Sequence, residues 1–116
     1  MGGKMTEMKY DYDEGLDILH VYSSDIKKGI KGCLSIGDFS IDVGIDNDIV
    51  GIEIEEASKI FNLSPNVISS LENVSLVVKR QGNMLFMGIA VRKGEMKSFI
   101  QLTTPQNKVP LQSVKS

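Results

Sequence analysis

The stretch DFSIDVGIDNDIVGIEIEE, residues 38–56, alternates apolar and polar residues almost without a break. Successive side chains of a strand point to opposite faces, so this pattern commits the chain to antiparallel strands with one buried side. Asn47 and Asp48 read as a two-residue turn between them. That register sets Val43 against Ile52 and Ile41 against Ile54. Phe39, Ile41, Val43, Ile45, Val50, Ile52 and Ile54 then share the inner side. Asp38, Ser40, Asp42, Glu53 and Glu55 share the outer side, with Asp42 directly opposite Glu53. Opposed like charges on a sheet cost a few tenths to ~1 kcal/mol. Water, a basic partner surface or a hard cation such as Mg²⁺ or Ca²⁺ would offset that cost. No Glu-x-x-His, His pair or calcium-loop spacing accompanies the acids. Solvation or docking is therefore expected at Asp42, Glu53 and Glu55, ahead of a metal at Asp42 and Glu53.

The same reading extends along the chain. MKYDYD (8–13) and DILHVYS (17–23) are strands around a turn at Glu14-Gly15, and residues 24–32 read as a loop. CLSIGDFSIDVGID (33–46) is long for one strand, so a bend or bulge is expected at Gly37, and IVGIEIEE (49–56) returns from it. Two short helices are expected at about 57–62 and 65–72, the second opened by Ser64-Pro65. VSLVVKRQ (74–81), MLFMGIAVRK (84–93) and MKSFIQLTT (96–104) form a meander through Gly-Asn and Gly-Glu turns. The fold expected is α+β: a mainly antiparallel sheet of six or seven strands, with one or two short helices between the N-terminal strands and the meander.

The chain has 116 residues, enough for a single domain with its own core. Residues 1–7 are expected as a flexible leader, 8–104 as the globular core, and 105–116 as a flexible or edge-docked tail. MGGKMT matches an N-myristoylation pattern in form, but the leader reading is preferred. Cys33 is the single cysteine, which excludes an internal disulfide and fits a reducing cytoplasm. No apolar run approaches the ~20 residues of a membrane helix, so no membrane contact is expected. Charge is divided unevenly. Residues 1–58 hold 5 Lys and 13 Asp or Glu, a balance of −8, and residues 59–116 hold 8 Lys or Arg and 2 Glu, a balance of +6. The simplest reading lays the two halves side by side.

Catalytic candidates are sparse. His20 is the lone histidine, and Asp13 and Asp17 stand near it in sequence, so an acid–base or metal cluster would draw on these three. Turn capping is the more ordinary use of such acids. Cys33 has no basic neighbour in sequence to lower its pKa. No nucleophile elbow, phosphate-binding loop or CxxC pair is present, and no cofactor is implied. In the meander, Lys79, Arg80, Arg92, Lys93 and Lys97 gather near Phe86 and Phe99, a mixture that can hold single-stranded nucleic acid. Basic strand ends also deter edge-to-edge aggregation.

YDYDEGLDILHVY (10–22) and IVGIEIEEAS (49–58) resemble the prokaryotic domain of unknown function 2283, over about residues 8–60. The similar positions are Tyr12, Asp13, Asp17, Leu19 and Val21, then Gly51, Ile52, Glu53, Ile54, Ala57 and Ser58. His20, Gly15 and Glu55 depart from the family pattern, and the meander extends beyond its short core. The resemblance implies a binding role, of antitoxin type, rather than catalysis. Together these readings give a non-enzymatic protein-interaction or structural module that forms a homodimer or docks a protein partner. Two alternatives remain: a small metal-dependent hydrolase built on Asp13, Asp17, His20, Asp42 and Glu53, and a nucleic-acid-binding module using the meander.

Overall fold

The computed structural model describes residues 4–106. The described chain folds as α+β, with nine strands in two antiparallel sheets and two short helices. The strands are β1 (Lys4–Glu7), β2 (Lys9–Asp13), β3 (Ile18–Tyr22), β4 (Ile30–Ile36), β5 (Phe39–Gly44), β6 (Ile49–Glu55), β7 (Asn73–Gln81), β8 (Met84–Lys93) and β9 (Met96–Pro105). The helices are α1 (Ala57–Phe61) and α2 (Pro65–Ile68), and a 3₁₀ turn covers Ser24–Lys28. Strand order is β2-β3-β6-β5-β4 in the five-stranded sheet and β1-β7-β8-β9 in the four-stranded sheet.

One core joins the sheets. The five-stranded sheet contributes Leu19, Val21, Ile41, Val43, Ile52 and Ile54, and the four-stranded sheet contributes Val74, Leu76, Leu85, Met87, Ile89 and Val91. The helices close it with Ala57, Phe61 and Ile68. Strands β2 to β9 place alternate residues in or against this core, so the period-two pattern fixes the outward residues as well. The chain passes between sheets at Met8, whose N–H donates to the Val74 carbonyl at 2.8 Å.

Several expectations are corrected. Strands number nine rather than six or seven. Residues 4–7, expected within a leader, are β1 and pair with Glu7 through Lys4 against Ser75 through Val78. Residues 1–3 and 107–116, the ends of that leader and of the expected tail, lie outside the described residues. Residues 33–46 are two strands: Ile36 pairs with Phe39 across Gly37-Asp38, and Gly37 takes a φ of 56° at the first loop position. That backbone favours glycine.

The acidic hairpin also turns differently. The Asn47 N–H donates to the Gly44 carbonyl and the Gly44 N–H to the Asp48 carbonyl, at 2.9 and 2.8 Å. Asn47 sits at φ 69°, so residues 45–47 form a three-residue loop with Asn in the left-handed position. A bulge follows: Val43 pairs with Ile49, and Asp42 with Gly51. Ile41 therefore faces Ile52, and Ser40, not Asp42, lies opposite Glu53. The expected like-charge opposition is absent because the extra residue moves the register without reversing the faces. Ile45, expected inside, is exposed in the loop.

The helix readings place well. Ser64 accepts from the Val67 N–H at 3.3 Å and Pro65 occupies the first turn, as Ser-Pro dictates. The two halves meet through their apolar sides: β2 to β6 form one sheet and the meander with β1 the other.

A Cβ at Gly44 would stand 2.8 Å from Val50 Cγ1, and Val50 is buried beneath the bulge. Gly44→Ala is expected to destabilise the protein by about 1–3 kcal/mol through overpacking, read from the urea midpoint at constant slope.

Candidate functional site

The motif YD…D…GIEI…AS converges on Asp17. The Asp17 carboxylate accepts from Tyr12 Oη at 2.6 Å, from the Ser58 N–H at 3.0 Å and from Ser58 Oγ at 2.7 Å. Its carbonyl accepts from the Ala57 N–H at 3.0 Å. Glu56, the residue before α1, is left-handed and offers no side-chain cap. Asp17 supplies that cap from the β2–β3 turn, and it adopts φ 57° to do so. Burial pushes its carboxyl pKa up, but the hydrogen bonds from Tyr12 and Ser58 outweigh it and hold the group below its ordinary value. Asp17 is thus a structural clasp. Asp13, the neighbouring candidate, accepts from the Leu16 N–H at 3.0 Å and caps the same turn.

His20 stands elsewhere, on the outer side of the five-stranded sheet. It pairs across strands with Asp11 on one side and Glu53 on the other. Its Nε2 is 3.9 Å from Asp42 Oδ2, and its ring centroid is 5.1 Å from that of Tyr22. The contact with Asp42 passes over Gly51, where a Cβ would meet Asp42 Oδ2 at 2.9 Å and His20 Nε2 at 3.3 Å. Gly51 is what lets these side chains approach. Cys33 pairs with Asp42 on the other side. Partial desolvation, then the charge and hydrogen bond of Asp42 and the charge of Glu53, push the pKa of this exposed thiol up. A raised pKa keeps the thiol protonated, the opposite of an activated nucleophile. Glu55 lies one row away, opposite Ile18.

The hydrolase set is therefore divided. His20, Asp42 and Glu53 share an outer face, while Asp13 and Asp17 are spent on the β2–β3 turn and the α1 clasp. Among the described residues, no three His, Cys, Asp or Glu side chains are grouped to hold a metal ion.

The basic candidates are divided too. Lys79 pairs with Phe86, and Arg92 with Lys97, all on the outer side of the four-stranded sheet. Arg92 also contacts Glu72 at 3.1 Å. Arg80 and Lys93 alternate to the other side, and Arg80 Nη2 donates to the Asn47 carbonyl at 3.1 Å, tying the sheets together. Around the outward cations lie Met5, Phe86 and Phe99, which are 63%, 37% and 52% exposed.

Comparison with known proteins adds kinship. A Methanosarcina mazei protein described as a "Putative hypoxanthine phosphoribosyltransferase" is 30% identical over 87 residues, covering 73% of this chain and 69% of that protein. The chain belongs to the same family as that protein. An uncharacterized protein of Methanocaldococcus jannaschii is 44% identical over 57 residues. That match spans 49% of this chain and 47% of the relative, about half the length of each. No family model and no solved structure matches the chain.

The sequence pointed to Asp17 but not to its partners. Ser58 is 41 residues away, and no local rule brings it there. Its signal was the Ala-Ser that follows the strand, read alone as close packing. Asp17→Asn is expected to cost about 1–3 kcal/mol at neutral pH, because one of the three donors then faces an NH₂. A depressed folded-state pKa gives stability that is present above the unfolded pKa and lost as pH falls through the folded one. The wild-type advantage over Asp17→Asn should therefore shrink below about pH 4. Urea unfolding of both proteins across that range checks it.

Proposed function

We propose that the protein is a non-enzymatic protein-interaction module that self-associates through the open edge of β9. The observation that carries this reading is a contrast among the four sheet edges. β1 has four residues. β2 has five, three of them charged: Lys9, Asp11 and Asp13. β4 is broken by a register shift between Ile30 and Gly32. β9 runs ten residues with unbroken pairing to β8, and between Lys97 and Pro105 it carries no charge. Natural edges are blunted by shortness, charge, proline or bulges, and β9 has these only at its ends.

The edge is also hydrogen-bond-competent. Lys93 and Met96 flank the two-residue Gly94-Glu95 turn and so form the bonded pair that closes it. Alternation then aims the N–H and C=O groups of Lys97, Phe99, Gln101 and Thr103 away from β8. Among the described residues, none bonds these groups on that side. In an antiparallel two-fold pairing centred on Ile100, Phe99 lies opposite the partner's Gln101 and Lys97 opposite the partner's Thr103, so like charges stay apart. Strand addition of this kind is a general mode of recognition.

Phosphoribosyl transfer, the activity in the Methanosarcina relative's description, finds little support in this chain. Helices of five and four residues are too short to present a helix N-terminus to a phosphate. Among the described residues all strand pairs are antiparallel, without the strand-to-helix crossovers that build such sites. The divided carboxylates and the protonated Cys33 likewise favour binding over catalysis. The lone cysteine fits a cytoplasmic setting.

Proline at position 101 removes an outward N–H that a monomer does not use. Light scattering after size exclusion should give a dimer for the wild type and a monomer for Gln101→Pro, with matching far-ultraviolet spectra. A wild type that is monomeric up to its solubility limit contradicts the reading.

A further inference from the structure

The outer face of the four-stranded sheet carries chemistry that its edge does not use. Outward residues form cross-strand rows: Lys79, Phe86 and Thr103; then Met5, Val77, Gly88 and Gln101; then Glu7, Ser75, Ala90 and Phe99; then Asn73, Arg92 and Lys97. Gly88 makes the floor. A Cβ there would stand 2.6 Å from Phe99 Cζ and 2.8 Å from Phe99 Cε1, so the Phe99 ring occupies the space that a side chain at 88 would fill. The ring thus lies across β8 with half its surface exposed. Between it and Phe86 is an open depression of about 360 Å³, bordered by Lys79, Gln81, Gln101 and Thr103.

A ring laid over a strand glycine stabilises the sheet in its own right. That explains Phe99. It does not explain the exposure of Phe86 one row beyond Gly88, nor the cations at both ends. Lys79 and Lys97 stand three rows apart, roughly 20 Å along the strands. Glu7 is the one acid in these rows, Glu72 offsets Arg92 beside them, and the acids of the other sheet project from the opposite side of the molecule. A protein of net charge −2 thus keeps one locally positive face, and it is the face with the rings.

We infer that this face binds single-stranded nucleic acid. Bases stack on Phe86 and Phe99, which a strand tolerates in any sequence because every base has a π face. Lys79 and Lys97 meet the phosphates, while Arg92 is held by Glu72. The side chains of Gln81, Gln101 and Thr103 supply donors and acceptors to base edges in the depression. A duplex keeps its bases stacked on each other and cannot use the rings. An acidic protein surface would satisfy the lysines without needing the rings, so the rings decide between the two.

The test is fluorescence anisotropy of the full chain with labelled ten-nucleotide oligo-U and oligo-dT. Binding of both is expected at 50 mM salt. Two phosphate contacts on a single strand predict affinity falling about sevenfold between 50 and 200 mM. Phe99→Ala and, separately, Phe86→Ala should each weaken binding about fivefold or more. Lys79→Glu should weaken it and flatten the salt dependence, while Glu53→Gln on the opposite face should change nothing. Tighter binding of oligo-U than of oligo-dT assigns the site to RNA, and the reverse to DNA. Circular dichroism of each variant separates lost contact from lost fold, and the three variants sit on three strands. The inference is overturned by no binding at 50 mM salt, or by binding that folded Phe86→Ala and Phe99→Ala both retain in full. A labelled poly-glutamate chain that binds with the same dependence on Phe99 reassigns the face to an acidic protein and also overturns it.

Discussion

The constraint on which the rest depends is the shared burial of one side of each sheet. Leu19, Ile41, Ile52 and Ile54 meet Leu85, Met87 and Ile89 in a single core. Once those side chains are committed inward, period two leaves no freedom over what faces out. His20 and Glu53 must emerge on one side of the molecule, and Phe86 and Phe99 on the other. The charge asymmetry of the sequence becomes a two-faced molecule because the acidic strands β2 to β6 build one sheet, the basic meander with β1 builds the other, and the two sheets meet by their apolar sides.

Inside that frame, the residues shared with the resembled family do structural work. Tyr12, Asp17 and Ser58 bind one another where the β2–β3 turn meets α1. Gly51 makes room for Asp42 and His20. Ile52 and Ile54 fill the core. A motif of this kind records how a chain holds its first helix to its sheet. The surfaces proposed to carry the function, chiefly β8 and β9, lie outside the motif. The same fold thus separates what holds it together from what it offers to a partner.

Much of this was legible in the sequence, for identifiable reasons. Ser64-Pro65 opened a helix because both residues act locally. The meander was readable because Gly82-Asn83 and Gly94-Glu95 sit between long alternating runs. β1 was not, because KMTE has no alternation of its own and forms only against β7, some seventy residues later. The acidic register was misread by one bulge: Val50 is apolar and buried, as a regular strand residue would be, so nothing in the pattern marks it as extra. Gly37-Asp38 did carry a hairpin signal, obscured by the apolar residues on both sides. The split of Lys79, Arg92 and Lys97 from Arg80 and Lys93 needed strand faces, which composition does not give.

The central claim is that β9 is an edge made to be paired. Amide hydrogen exchange resolved by residue tests it most directly. Ile100 and Leu102 bond to β8 and should be protected at every concentration. Phe99 and Gln101 should be protected at high protein concentration and exchange freely on dilution, as the pairing strand leaves. Fast exchange at Phe99 and Gln101 at all concentrations, beside steady protection at Ile100 and Leu102, would contradict the account.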